Sequence, residues 1–408
     1  MAAYIKRQAE AVLERASGSF GAVLVTGARQ TGKTTLLTRG AGAYRYVTLD
    51  DPLKLNSAAL EGETFFEENP PPVIVDEIQY APGLFPYIKM ILDRGAKPGS
   101  FLMSGSQQFR MMKNVSESLA GRVGIMTLLG FSLREIKSIS FNKPFLPDAP
   151  YFKARQEEAL NLDFDELWNI IHQGAMPRLY QEDEPDWEFF WGAYTKTYLE
   201  RDLRDLTQVG DEQKFLIFMS AIAARTGQLL NLSSVSQDVG ISVPTAERWL
   251  SILVTSNLVF LLRPFQINTT KRMIKAPKLY FLDTGLAAYL TKWTNQEVLR
   301  NGHMAGAFFE TFVIAEIIKS YTNDGKDAPL YFYRDRDGRE IDLVLWQNGV
   351  LHPLEIKKHA NPDVRDIKAF EVLDGIDGFK RGPGGVICLY KELQTLKGND
   401  KVIPLGFL

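Results

Sequence analysis

Gly27-Ala28-Arg29-Gln30-Thr31-Gly32-Lys33-Thr34-Thr35 lies between an apolar run, Gly21 to Thr26, and a helical stretch that begins at Lys33. It matches the pattern G-x-x-x-x-G-K-[ST] throughout. The glycines let the backbone curl, so that successive N–H groups face phosphate oxygens. The start of the next helix adds the positive end of its dipole. Lys33 is expected to reach the β- and γ-phosphates, and Thr34 to place its hydroxyl on Mg²⁺. ATP and Mg²⁺ are therefore the expected ligand and cofactor, with Gly27 to Thr35 as the binding loop.

Three further apolar runs follow, Tyr44 to Leu49, Pro72 to Val75 and Ser100 to Ser104, separated by helical lengths. Short buried runs at this spacing predict an α/β fold with a parallel sheet covered on both faces. Such sheets bind ligands at the carboxyl ends of their strands. The run Val73-Ile74-Val75 ends there in Asp76-Glu77, a Walker B arrangement. Asp76 is expected to hold Mg²⁺ together with Thr34, and Glu77 to polarise the attacking water. The next strand end offers Ser104 and Ser106 as alternatives for touching the γ-phosphate or that water. Arg122, in Ser118-Leu-Ala-Gly-Arg122, reads either as a finger toward a neighbouring subunit's γ-phosphate or as a surface ion pair.

In this order and spacing, Gly27–Thr35, Val73–Glu77 and Ser104–Gln107 resemble the AAA+ superfamily of P-loop ATPases. Gln79-Tyr80, Phe131-Ser-Leu-Arg-Glu-Ile136 and Tyr198-Leu-Glu-Arg-Asp-Leu203 narrow the resemblance to a bacterial and archaeal group. There an AAA+ core is fused to a C-terminal domain of unknown function. The resemblance implies ATP hydrolysis, a ring oligomer (a hexamer favoured) with the ATP site between subunits, and a helical lid carrying a sensing arginine. Arg178, Arg201 and Arg204 are the candidates for that arginine.

Residues 207–290 read as helix, glycine-containing turn, helix and two strands, a winged-helix pattern. Ser242 is placed to cap the second helix, and Pro244 stands at an early helical position. Eight basic residues (214, 225, 248, 263, 271, 272, 275 and 278) face five acidic ones here. That local excess points to a phosphate backbone, and Thr245, Arg248 and Lys271 are the expected DNA contacts. The alternative is protein–protein packing with a solvated basic surface.

Further on, Glu310 lies in an amphipathic helix, Ala307 to Ile318. A hairpin turning at Asn348-Gly349 carries Asp342 on one strand and Glu355 with Lys357 on the next. Residues two apart in a strand share a face. Asp342 and Glu355 then offer oxygen ligands to a divalent metal, with Lys357 beside an attacking water. Glu310, Asp342, Glu355 and Lys357 resemble the PD-(D/E)xK nuclease superfamily, although Ile341-Asp342 stands where that pattern has proline-aspartate.

The expected organisation is an AAA+ core over 1–131, a helical lid over 132–206, a winged helix over 207–290 and a nuclease-like α/β domain over 291–408. With 47 Lys+Arg against 49 Asp+Glu among 408 residues, the chain is no histone-like polycation. Its single cysteine, Cys388, excludes an internal disulfide and a cysteine-built zinc site and fits a reducing cytoplasm. No segment reaches the roughly 18–20 continuous apolar residues needed to span a bilayer, and Met1 to Glu10 is charged with no apolar leader stretch, so a soluble cytoplasmic protein is expected.

Overall fold

The computed structural model describes residues 4–39, 42, 44–106, 119–198, 212–265, 276–335 and 338–408. The N-terminal sheet has five parallel strands: β1 (Ala22–Thr26), β2 (Arg45–Thr48), β3 (Val73–Asp76), β4 (Phe101–Gly105) and β5 (Val123–Thr127). Their spatial order is β2-β3-β4-β1-β5, with β1 between β4 and β5.

Alternation along β1 explains the layers. Ala22 and Leu24 join Val73, Val75, Phe85 and Phe101 in one apolar cluster. Val23 and Val25 point the other way, onto Leu13 of the helix Glu10–Ser19 and onto Leu36 and Leu37 of the helix Lys33–Arg39. Because side chains alternate across a strand, one buried run feeds both clusters. The phosphate loop therefore leaves the carboxyl end of β1, where both flanking strands also end.

The C-terminal half is built on a second sheet. Its strands are β6 (Gln228–Leu229), β7 (Val259–Pro264), β8 (Lys278–Phe281), β9 (Leu330–Arg334), β10 (Glu340–Gln347), β11 (Val350–Lys357), β12 (Lys380–Arg381), β13 (Gly385–Cys388), β14 (Gln394–Lys397) and β15 (Asp400–Pro404). The order is β14-β15-β13-β11-β10-β9-β7-β8-β6, with β12 paired to β11. The antiparallel pair β7–β8 continues into β9 through the register Arg263↔Tyr331 and Pro264↔Phe332. Strands from the middle and C-terminal regions thus share one hydrogen-bonded surface.

The helix Ala305–Thr322 covers this sheet, next to Leu343, Leu354, Ile356 and Ile387 in the largest apolar cluster. The amphipathic helix expected here is instead buried on nearly every side. A helix apolar all round belongs in the interior. Its buried charges are paired within it, Lys319 with Glu316 at 2.8 Å. The same cluster takes in Trp168 and Trp191 from the helices Phe164–Gln173 and Trp187–Tyr198, tying the region after the first sheet to the C-terminal half. Among the described residues no helix is long and apolar enough to cross a membrane.

Candidate nucleotide site and the C-terminal acid cluster

The phosphate loop uses its glycines for geometry that other residues resist. Gly27 has φ +144°, and a Cβ there would lie 2.1 Å from the Leu128 carbonyl oxygen. Lys33 is buried, and its Nζ donates to the carbonyls of Gly27 (3.1 Å) and Ala28 (2.8 Å). The Thr31 hydroxyl closes the loop onto the Ala28 carbonyl at 3.0 Å. Arg7 supports the loop from behind, donating from Nη1 to the Thr31 carbonyl, from Nη2 to Leu129 and from Nε to Glu135, each at 2.8 Å. Glu135 in turn closes a capping box with Ser132, and the Leu133 N–H beside it donates to Glu316 at 2.7 Å.

Asp76 gathers hydroxyls at the end of β3. Thr34 Oγ1 lies 3.0 Å from both of its oxygens, Tyr46 donates at 2.9 Å, and Ser104 donates to Oδ1. Burial and the Asp76 carboxylate push the Tyr46 phenol up to about 12. Glu77 follows in a left-handed conformation, φ +58° and ψ +43°. Its N–H donates to Ser104 Oγ at 3.1 Å, and its carboxylate accepts from Gln79. Ser106 lies instead 3.4 Å from Gln79 Nε2, so of the two sequence candidates Ser104 is the one joined to the acid pair.

A cavity of about 620 Å³ opens over this loop, lined by Arg29, Gln30, Gly32 to Thr35, Glu77, Pro177 and Arg178 among others. A smaller one of about 200 Å³ shares Gly32, Thr35, Pro177 and Gln181 with it and is walled by Tyr4, Ile5, Leu36, Arg39, Phe131 and Tyr180. The larger cavity lies over the glycine loop, and the smaller is a half-apolar slot beside it. The residues present fit a magnesium nucleotide: a carboxylate and a hydroxyl for the hard cation, a lysine and a glycine cradle for phosphates. Tyr46 and the walls of the slot were not legible in the sequence, because they come from distant segments and lie outside the loop pattern.

The arginine candidates separate. Arg178 lines the phosphate cavity and pairs with Asp183 at 2.7 Å. Arg122 is exposed and pairs with Asp93 at 2.6 Å, outside that lining. Arg201 and Arg204 lie outside the described residues, as does Lys271.

In the middle region the helices Leu232–Val239 and Val243–Thr255 meet at Gly240, φ +70°, and the Ser242 hydroxyl caps the second through the Thr245 N–H at 3.3 Å. Arg248 is exposed on that helix. Lys278, counted above with the basic surface, is buried instead.

The ammonium of Lys278 enters the C-terminal acid cluster. It lies 2.6 Å from Glu340, 3.4 Å from Glu310 and 3.8 Å from Asp342. Lys357 stands 2.7 Å from Glu355 and 3.5 Å from Asp342. Glu310, Asp342, Glu355 and Lys357 are thus brought together, with Glu340, Lys278 and Tyr280 as members that sequence reasoning missed. Burial, then the Asp342 charge, pushes the Glu355 carboxyl up; burial likewise raises Glu310. Burial works against the charge on Lys278, yet Glu310, Asp342 and Glu340 together hold it above its ordinary value. Divalent ions bind carboxylate oxygens at roughly 2.0–2.6 Å. Here the gaps between the acids hold ammonium groups, so the arrangement does not fit a metal. Among the described residues no group of three His, Cys, Asp or Glu is spaced to hold one.

Residues 19–137 match the family described as "AAA domain". Residues 164–297 and 305–408 match two domains of unknown function, DUF8612 and DUF4143. The chain is 29% identical over 360 residues to uncharacterized protein Rv2008c of Mycobacterium tuberculosis, covering 88% of this chain and 75% of that one. Uncharacterized protein Mb2031c of Mycobacterium bovis matches to the same extent. Among solved structures, the Walker-type ATPase paby2304 of Pyrococcus abyssi aligns with a TM-score of 0.43 at 14% identity, over 70% of this chain and 96% of that one. AMPPCP-bound DnaA of Aquifex aeolicus aligns at 0.28 and 13%, over 60% and 85%. The chain thus carries an AAA-type P-loop ATPase domain over residues 19–137 and matches DUF4143 over residues 305–408.

Proposed function

We propose that this AAA-type P-loop ATPase chain binds Mg²⁺-ATP in the joined cavities and hydrolyses it to drive movement of its lid. The observation that carries the reading is Thr34 Oγ1 at 3.0 Å from both oxygens of Asp76, beneath the phosphate loop and beside Glu77. Lys33 and the loop N–H groups take the β- and γ-phosphates, while Tyr4, Phe131 and Tyr180 wall the base slot. Thr34 and Asp76 would hold Mg²⁺, which when bound offsets the phosphate charge. Glu77 accepts a proton from water as its oxygen attacks the γ-phosphorus. The bond to the β-phosphate oxygen breaks, leaving ADP and phosphate.

Pro177 and Gln181 border both the slot and the phosphate chamber, which supports a lid that responds to the nucleotide. Arg178 is the lid arginine of this reading. Ring assembly, a hexamer favoured, belongs to the same proposal, with exposed Arg122 available to a neighbouring subunit. So does contact with DNA through the helix Val243–Thr255, where Arg248 is exposed and Thr245 half-buried.

ATP binding and phosphate release test it directly. Lys33→Ala should lose nucleotide binding, and Glu77→Gln should keep binding but lose turnover. Undiminished phosphate release by both variants would overturn the proposal. Running the assay with and without DNA, beside particle size in ATP and in ADP, tests the partner and the assembly.

A further inference from the structure

We propose that Lys278 is the resident cation of the C-terminal acid cluster. Its ammonium takes the place of a divalent ion and ties β8 to β10 across the sheet.

The first argument is burial. The Lys278 side chain is 6% exposed, and an ammonium removed from water is costly unless carboxylates surround it. Three do, from two elements: Glu310 on the helix Ala305–Thr322, and Glu340 and Asp342 on β10. The lysine itself comes from β8, which does not pair with β10; β7 and β9 lie between them. The ammonium therefore bridges across the sheet.

Ligand availability is the second argument. Asp342 Oδ1 faces Lys278 at 3.8 Å, while Oδ2 faces Lys357 at 3.5 Å and accepts the Ile356 N–H at 3.0 Å. Glu310 Oε1 also accepts from the Tyr280 hydroxyl at 2.6 Å. Lys357 holds Glu355 at 2.7 Å. A hard divalent cation keeps several waters but still needs one or two carboxylates at about 2.0–2.6 Å, and the Asp342, Glu310 and Glu355 oxygens named here face nitrogen or hydroxyl donors instead. The register of β10 against β9 shifts between Ile341 and Val344, so a bulge aims Asp342 at the two ammonium groups.

Mn²⁺ binding to the full chain tests this, read by isothermal calorimetry and by the paramagnetic resonance of free Mn²⁺. Asp76→Asn is kept throughout to silence the nucleotide site. Adding Asp342→Asn should leave Mn²⁺ binding unchanged. Adding Lys278→Met instead should create one Mn²⁺ site, at least about tenfold tighter than any in the parent, and Asp342→Asn should then remove it. A parent site that Asp342→Asn abolishes would overturn the proposal. So would a Lys278→Met protein that melts cooperatively and gains no site. Should Lys278→Met fail to fold, the comparison with and without Asp342→Asn still decides.

Discussion

Arg7 Nε lies 2.8 Å from Glu135 Oε1, with both side chains at most 3% exposed, while the same guanidinium holds the phosphate-loop carbonyl of Thr31. One side chain near the N-terminus thus fixes the loop to the segment that follows the first sheet. Removing one member of a buried ion pair strands the other, at a cost of about 3–5 kcal/mol. Arg7→Ala should lose stability on that scale in denaturant titration and also weaken ATP binding. In a double-mutant cycle with Glu135→Gln the two losses should be less than additive.

Tyr46 offers a finer test of the metal end of the site. Its hydroxyl donates to Asp76 Oδ2 at 2.9 Å from the edge strand β2, outside the loop pattern. Tyr46→Phe removes that bond and keeps the ring. The Mg²⁺ concentration for half-maximal turnover should rise several-fold, while ATP affinity without the metal stays the same.

For the base slot, Ile5→Trp should fill much of a cavity of only about 200 Å³. ATP affinity is expected to fall by roughly tenfold or more, about 1.4 kcal/mol. Inorganic triphosphate, which lacks a base, should bind as before. Competition of triphosphate against a fluorescent nucleotide separates the two effects.

Two buried histidines set a stability window. His172 Nε2 donates to the Trp293 carbonyl at 2.9 Å, and the ring stacks on Trp187 at 4.2 Å. His352 lies 2.8 Å from the Pro383 carbonyl. Burial lowers both, so the folded chain stays neutral at these sites where the unfolded chain takes up protons, below about pH 6.5. Since the unfolded state then binds more protons, stability from these groups is lost as pH falls through that window. The melting temperature of His172→Gln/His352→Gln should fall less steeply between about pH 7 and pH 5 than that of the parent.

The legible parts of this molecule are those whose geometry is local. Strand, glycine turn and helix around Gly27–Thr34 are adjacent in sequence, and so is the acid pair at the end of β3. The β10–β11 hairpin was readable for the same reason, from Asn348-Gly349, both at positive φ. β5 was harder to see, because Gly124 interrupts its short apolar run. Tyr46 and the base slot required tertiary placement of segments that share no motif. Lys278 misled most: counted by composition it is one more surface cation, and only the fold brings Glu310, Glu340 and Asp342 around it.

The left-handed backbone at Glu77 has a consequence for how this protein can be improved. Left-handed geometry at a glutamate costs on the order of 1 kcal/mol, and glycine adopts it freely. Glu77→Gly should therefore melt no lower than the parent while ATP turnover disappears. Thermostability screening that ignores turnover would favour this change and discard the carboxylate proposed to activate water, so selection for robustness and selection for activity diverge at this position.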